Sequence, residues 1–464
     1  MLSFLLLPLY VSVMPPGLYG EVSLIFVWFA IFNVLLAYGM ETAFFRFYTR
    51  EKASEDVLST SLISLAASTL IFLLAALLLR EEISALLNID PRYMGYFIAI
   101  LCLDALVIIP FARLRATERP AVYAVVKIAN ISVNLGFNLF FLLALPRLAQ
   151  PGSGSLWNAL YLPDFEVSYI LISNVIASGI TLLILSGNYL KRQWVFDRAL
   201  LRRMLKYGLP VMLAGIAFTV NEVFDKYLLT ELLPGDIAKT EMGKYAACYR
   251  LAMFMTLFAT AFRLGIEPFF FSHASSENPK KAYAQITNYF VVLGSVILLG
   301  VVVFADVLKV LFVPDEAYWE AMAVVPIVLL ASFFLGIYHN LSVWYKITDR
   351  TRFGALISFA GALITIAINY FFIPRYSYFA SAWATLAAYG SMMLLSYFLG
   401  RKYYPIPYNL RKIFFYLGVS VAFSILSFYV FNRNLFPGLL LLLVFLGLLY
   451  RMEKELLLKL IRGK

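Results

Sequence analysis

Residues 39–45 read GMETAFF and residues 265–271 read GIEPFFF. A glycine, an apolar residue, a glutamate and a closing phenylalanine pair are thus written twice, 226 residues apart, and the same offset pairs Tyr19 with Tyr245. Further on, RATER (Arg115 to Arg119) matches KITDR (Lys346 to Arg350) at an offset of 231, which also pairs Asn138 with Asn369 and Phe140 and Phe141 with Phe371 and Phe372. One loop insertion of five residues reconciles the offsets. Two ordered windows at nearly equal spacing point to an internal duplication.

Each copy sits among long apolar runs. The 464 residues are 62% hydrophobic and 14% charged, with mean hydropathy +0.83. No soluble core of this size buries that much apolar surface, so lipid is the solvent. Helices are expected at about 1–14, 21–40, 57–79, 93–110, 121–145, 166–187, 207–230, 243–265, 284–305, 321–344, 353–373, 379–399, 413–431 and 436–450, fourteen in all. The runs are too long and too uniform for barrel strands. The first helix is short or truncated, since its apolar residues rise only about 20 Å. It lacks the basic start and small-residue cleavage site of a signal peptide.

Six helices separate the two copies, an even number, so the repeat is parallel. The expected fold is an all-α polytopic membrane protein of two six-helix lobes, 1–190 and 207–400. A linker at 191–206 joins them, and two extra helices with a basic tail follow at 401–464. A pseudo-twofold along the membrane normal relates the lobes, with substrate between them. GMETAFF and GIEPFFF become equivalent ends of helices 2 and 8. Gly39 and Gly265 allow close helix packing there, and Glu41 and Glu267 sit where a carboxylate stays wet, as structural or gate residues.

A net charge of +11 invites a nucleic-acid reading, which the distribution of charge excludes. Of the 38 lysines and arginines, 26 fall on the face that follows helix 2, eight on the other face and four within helices. That bias places the face, and both termini, in the cytoplasm. No outer loop is long enough for a catalytic domain, and no GxxxxGK[ST] stretch marks an ATP-hydrolysing module. Cys102, Cys248, His273 and His339 lack metal-ligand spacing, so no metal site or cofactor is expected.

Ionisable groups at membrane depth each need a partner or a wet cavity. Asp104 and Lys127 lie at similar depth on consecutive helices, as an ion pair or as cavity residues. Lys127, Asn130, Asn134 and Asn138 recur at three- and four-residue spacing and so share one helix face. That face either lines a cavity whose amides bind sugar hydroxyls or makes hydrogen bonds between helices. In helix 7, Glu222 and Lys226 are placed to neutralise each other, leaving Asp225 less obviously paired. Arg250 lies about 10 Å from the outer end of helix 8, awkwardly deep for snorkelling.

The chain resembles the multidrug/oligosaccharidyl-lipid/polysaccharide exporter superfamily, and within it the bacterial polysaccharide or O-antigen flippases. The resemblance is carried by LLLPLYVSVMPPGLYGEVSLI (5–25), YGMETAFFRF (38–47), YAACYRL (245–251) and the duplicated basic-x-Thr-acid-Arg loops, and covers essentially the whole chain. It implies an inner-membrane flippase for an undecaprenyl-pyrophosphate-linked oligosaccharide, with polymerases and glycosyltransferases as partners. By resemblance, Arg250 holds the pyrophosphate, and the cavity face of Lys127 and the asparagine stripe is expected to add a second cation for it and amides for the sugars. Also by resemblance, Asp225 or Glu222 joins Asn369 and Thr385 in a sodium or proton site. The alternatives are a drug/cation antiporter of the same superfamily and a membrane polymerase or ligase acting on the same lipid carrier.

Overall fold

Prolines and glycines decide where the apolar runs break. The computed structural model describes residues 5–50, 54–149, 156–190, 194–272, 278–348 and 350–461, and all regular structure among them is helical. Thirteen helices there are long and apolar enough to cross a bilayer, so the chain is a multi-pass membrane protein. That is one fewer than the fourteen expected. In place of a first spanning helix at 1–14, the described residues hold α1 (Leu7–Val13). It stops before Pro15 and Pro16, and Pro16 opens α2 (Pro16–Ala37) from the first helical position.

The chain forms two compact units, Met1–Tyr227 and Leu228–Lys464. After α2, unit 1 comprises α3 (Met40–Arg50), α4 (Ser54–Leu78), α5 (Arg80–Leu87), α6 (Pro91–Ala116), α7 (Pro120–Leu139), α8 (Glu166–Leu185) and most of α9 (Arg198–Leu232). The boundary between the units falls within α9, downstream of the segment 191–206. The second half of that segment is helical: the Asp197 carboxylate caps α9 by accepting from the amides of Ala199 at 2.8 Å and Leu200 at 3.0 Å. Leu200 and Met204 then bury themselves against α3, α4 and α6, while Arg202, Arg203 and Lys206 stay exposed.

GMETAFF does not end a helix; it breaks one and begins the next. Tyr38 (φ +32°) and Gly39 (φ +71°) take left-handed backbone between α2 and α3. Gly39 lies against the α9 backbone so closely that a β-carbon there would overlap the Gly208 carbonyl. Ala43 and Phe44 then enter the core with Leu58, Leu62, Ile109 and Met204.

Unit 2 contains α10 (Gly235–Tyr249), α11 (Met253–Ser272), α12 (Pro279–Val303), α13 (Val325–Leu341), α14 (Arg352–Tyr376), α15 (Tyr378–Tyr403), α16 (Leu410–Ile425) and α17 (Leu435–Ile461). The expectation that Gly265 permits close packing is corrected here. It lies inside α11 without positive φ, and a β-carbon there meets no described atom within 4 Å. The side chain of Glu267 lies outside the described residues. The last two spans are tied at their basic ends, where Glu453 accepts from Lys412 at 2.6 Å and from the Tyr416 hydroxyl at 2.9 Å.

The duplication reaches the hydrogen bonds. The Asn138 amide donates back to the Asn134 carbonyl at 2.8 Å and its oxygen accepts from Tyr10 of α1 at 3.0 Å. Asn369, its partner at offset 231, donates back to the Thr365 carbonyl at 2.7 Å, and its oxygen accepts from Ser381 of α15 at 2.8 Å. In both units the duplicated asparagine satisfies itself within its helix and reaches one neighbour. Buried amides at membrane depth demand such partners.

Candidate binding cavity

Unit 1 forms an open cavity of about 540 Å³ with a partly polar lining among its apolar helices. One wall is α7, whose Lys127, Asn130 and Asn134 follow the three- and four-residue helical spacing. Asp104 and Phe111 of α6 stand beside it, Asn174, Ser178 and Thr181 of α8 face it, and Asn33 of α2 and Glu41 and Thr42 of α3 add to the polar lining.

The charges are held apart. Asp104 accepts a hydrogen bond from the Ser178 hydroxyl at 2.7 Å. The Lys127 ammonium lies 4.2 Å from the centre of the Phe111 ring. Among the described residues no ion pair within 4.0 Å joins Asp104 to Lys127. Both side chains line the cavity. Asn130 donates to Thr181 at 2.9 Å, fixing its amide plane toward α8. Glu41 pairs with Arg115, so the first duplicated motif holds the second through one ion pair.

The stripe divides. Lys127, Asn130 and Asn134 line the cavity, but Asn138 is fully buried beyond it in the bonds to Tyr10 and Asn134. Asn138 thus makes a bond between helices, one of the two readings of the stripe. The lining of α8 escaped sequence reading although Asn174, Ser178 and Thr181 repeat the α7 spacing. Small hydroxyls scattered through apolar helices attract less notice than amides.

The remaining candidates lie elsewhere. Arg250 belongs to unit 2 and opens a single 3-10 turn, Arg250–Ala252, between α10 and α11. Its guanidinium lies 3.9 Å from the Met253 sulfur. Lys226 pairs with Asp225 at 3.1 Å, and Asp225 is buried. Lys226 also donates to the Glu222 backbone carbonyl, at 3.5 Å. In unit 2, Asn369 and Thr385 are buried between α14 and α15, with the Thr385 hydroxyl donating to the Ser381 carbonyl at 2.9 Å. Among the described residues no group of three or more His, Cys, Asp or Glu side chains is placed to hold a metal ion.

Residues 1–264, more than half of the chain, match the family described as polysaccharide biosynthesis protein. The chain belongs to that family. Residues 210–371 match a second family, MatE. Among solved structures, the fold is similar to lipid II flippase MurJ in an inward closed conformation, with TM-score 0.74 and 13% identity over 97% of this chain and 96% of that one. It is also similar to an inward-facing multidrug resistance MATE family transporter of the MOP superfamily, with TM-score 0.67 and 12% identity over 87% and 94% of the chains. The Vibrio cholerae MATE transporter VcmN in its bent form aligns with TM-score 0.51 and 13% identity over 92% and 99%. No curated protein matches the chain. Family and fold together place it in the multidrug/oligosaccharidyl-lipid/polysaccharide exporter superfamily, with the polytopic helical fold of such transporters.

Proposed function

We propose that this protein is an inner-membrane flippase that moves an undecaprenyl-pyrophosphate-linked oligosaccharide from the cytoplasmic to the periplasmic leaflet. The observation that carries the reading is the unit 1 cavity, where amides, hydroxyls and a lysine line a space among apolar spans in a chain of a polysaccharide biosynthesis family. A hydrophilic head group pays many kcal/mol to enter hydrocarbon bare, and such a lining replaces its water. Lys127 attracts the anionic head, Asn130 and Asn134 exchange hydrogen bonds with sugar hydroxyls, and Arg250 meets the pyrophosphate later in the cycle. The polyprenyl tail stays in lipid while the cavity opens to each side in turn. With both termini cytoplasmic and that side negative, the membrane potential favours outward movement of an anionic head group, and cation entry or consumption of the product adds to the drive.

Asp225 is the proposed coupling carboxylate, with Glu222 as a further oxygen donor for sodium, or with Asp225 alone taking a proton. Either cation competes with the Lys226 ammonium that Asp225 now holds. A polymerase and glycosyltransferases acting on the same carrier are the proposed partners, and no bond is made or broken in the transport step.

Reconstitution in liposomes with labelled lipid-linked oligosaccharide, followed by its appearance in the opposite leaflet, tests the proposal. Transfer is expected with the wild type and a loss of at least about tenfold with Lys127→Ala, the order of one charge-assisted contact. The second reading, a cation antiporter, draws support from the MatE match over residues 210–371. Export of cationic dyes with no lipid transfer would replace the first reading by the second.

A further inference from the structure

At the basic end of unit 2, serving no role in the transport reading, lies a small pocket of about 240 Å³. It is lined by Tyr397 and Arg401 of α15 and by Pro405, Ile406, Pro407 and Tyr408 of the loop that leads to α16. Tyr397 and Arg401 are four residues apart and share a helix face. The loop holds its shape through two tight turns, with the Tyr408 amide donating to the Ile406 carbonyl at 2.9 Å and the Leu410 amide to the Tyr408 carbonyl at 3.0 Å. Two prolines with fixed φ stiffen it further. The Tyr397 and Tyr408 rings lie 6.2 Å apart across the pocket.

What the side chains offer is uniform in sign. Among the described residues, the Arg401 guanidinium and the hydroxyls of Tyr397 and Tyr408 have no hydrogen-bond or ion-pair partner. Burial pushes the Tyr408 phenol well above its ordinary range, so it stays a proton donor at every physiological pH. Residues 397–412 contain no acidic side chain and carry Arg401, Lys402, Arg411 and Lys412. Of these, Lys412 is taken by Glu453, and Lys402 lies along the Tyr403 ring. A permanent cation and two phenolic donors around one concavity ask for an anion with several acceptor oxygens.

Position narrows the class. Arg401 lies two residues before the end of the span Tyr378–Tyr403. That is head-group depth, where tyrosines and arginines concentrate and where phosphates are the abundant anions. The volume is below that of pockets for drug-sized ligands and suits a head group whose chains remain in lipid. We propose that the pocket formed by Tyr397, Arg401 and Tyr408 binds a phosphate group, as the head group of an anionic phospholipid or as free phosphate. The guanidinium fork takes two phosphate oxygens and the phenols donate to the others. An occupied pocket would pin the loop between α15 and α16 to the lipid surface.

The full chain, purified in detergent, is titrated with phosphatidylglycerol, phosphatidylcholine and inorganic phosphate, and retained molecules are counted by native mass spectrometry. Phosphatidylglycerol is expected to be held about tenfold more tightly than phosphatidylcholine, the order of one charge-assisted pair. Arg401→Gln should abolish that preference, Arg401→Lys should keep part of it, and Lys402→Gln should leave it intact. Competition by millimolar phosphate assigns the shared chemistry to the phosphate alone, and its failure assigns the site to the lipid. Equal retention of the two lipids by wild type, or an unchanged preference in Arg401→Gln, overturns the proposal. So does an equal loss in Lys402→Gln, which would mean diffuse surface charge. Should Arg401→Gln fail to fold, the double variant Tyr397→Phe with Tyr408→Phe answers the same question, with a severalfold weakening expected.

Discussion

Replacing Gly39 by alanine, with Gly265→Ala as its internal partner, separates the duplicated sequence from the duplicated structure. Gly39 has φ +71°, a conformation that costs an L residue roughly 1–2 kcal/mol. Its added β-carbon would overlap the Gly208 carbonyl, which is backbone within α9 and cannot rotate away. Moving α9 by a few tenths of an ångström disturbs the packing of Met204 and Leu200 against Phe44, adding about 1–3 kcal/mol of overpacking strain. The total, roughly 2–5 kcal/mol, should lower the thermal midpoint in detergent by about 5–10 °C. Gly265, inside α11 with open space around its α-carbon, pays neither cost. Its replacement removes a helix-interior glycine and should be neutral or stabilising by up to about 1 kcal/mol. The assay is thermal unfolding of both purified variants by tryptophan fluorescence and by size-exclusion survival after heating. Equal behaviour of the two variants, in either direction, would refute the assignment of Gly39 to a left-handed break pressed against Gly208.

Other perturbations read other parts of the molecule. Asn138→Leu leaves the buried Tyr10 hydroxyl without its acceptor and should cost about 1–3 kcal/mol of stability, while transport per folded molecule stays near wild type; a large fall in transport with unchanged stability would return Asn138 to the substrate path. Asp104→Asn keeps the Ser178 bond but removes the charge beside Lys127, so folding should survive and transport shift by severalfold; loss of the fold would make Asp104 structural. Exchanging the charges of Glu41 and Arg115 together should restore most of the expression lost in either single reversal, since an exposed pair contributes about 0.2–1 kcal/mol and a like-charge clash costs a similar amount. Singles no worse than the double would show that the pair does nothing. Glu453→Ala strands Lys412 and Tyr416, and faster proteolysis near the last two spans should follow; an unchanged digestion pattern would show that these contacts do not anchor the hairpin.

Much of this molecule could be read from the chain alone. Hydropathy over 17 to 25 residues is a local property, so spans at 57–79, 93–110 and 284–305 were legible without any packing. The duplication was legible as well, and it predicted a shared hydrogen-bond habit of Asn138 and Asn369 only to the extent that equal residues meet equal surroundings. The α7 stripe was visible because helical periodicity follows from residue spacing. Where the stripe stops facing the cavity was not, since that depends on Tyr10, which arrives from 128 residues earlier in the chain. Partner choice was equally hidden. Glu222 and Asp225 are both within reach of Lys226 by spacing, and only the rotamers and burial around α9 bring the Asp225 carboxylate to 3.1 Å from its ammonium. The sequence by itself determined which residues are too polar for lipid, because transfer energies belong to side chains. The tertiary structure decided which of them face a cavity, a neighbour or each other, because burial and distance belong to pairs of surfaces that only folding brings together.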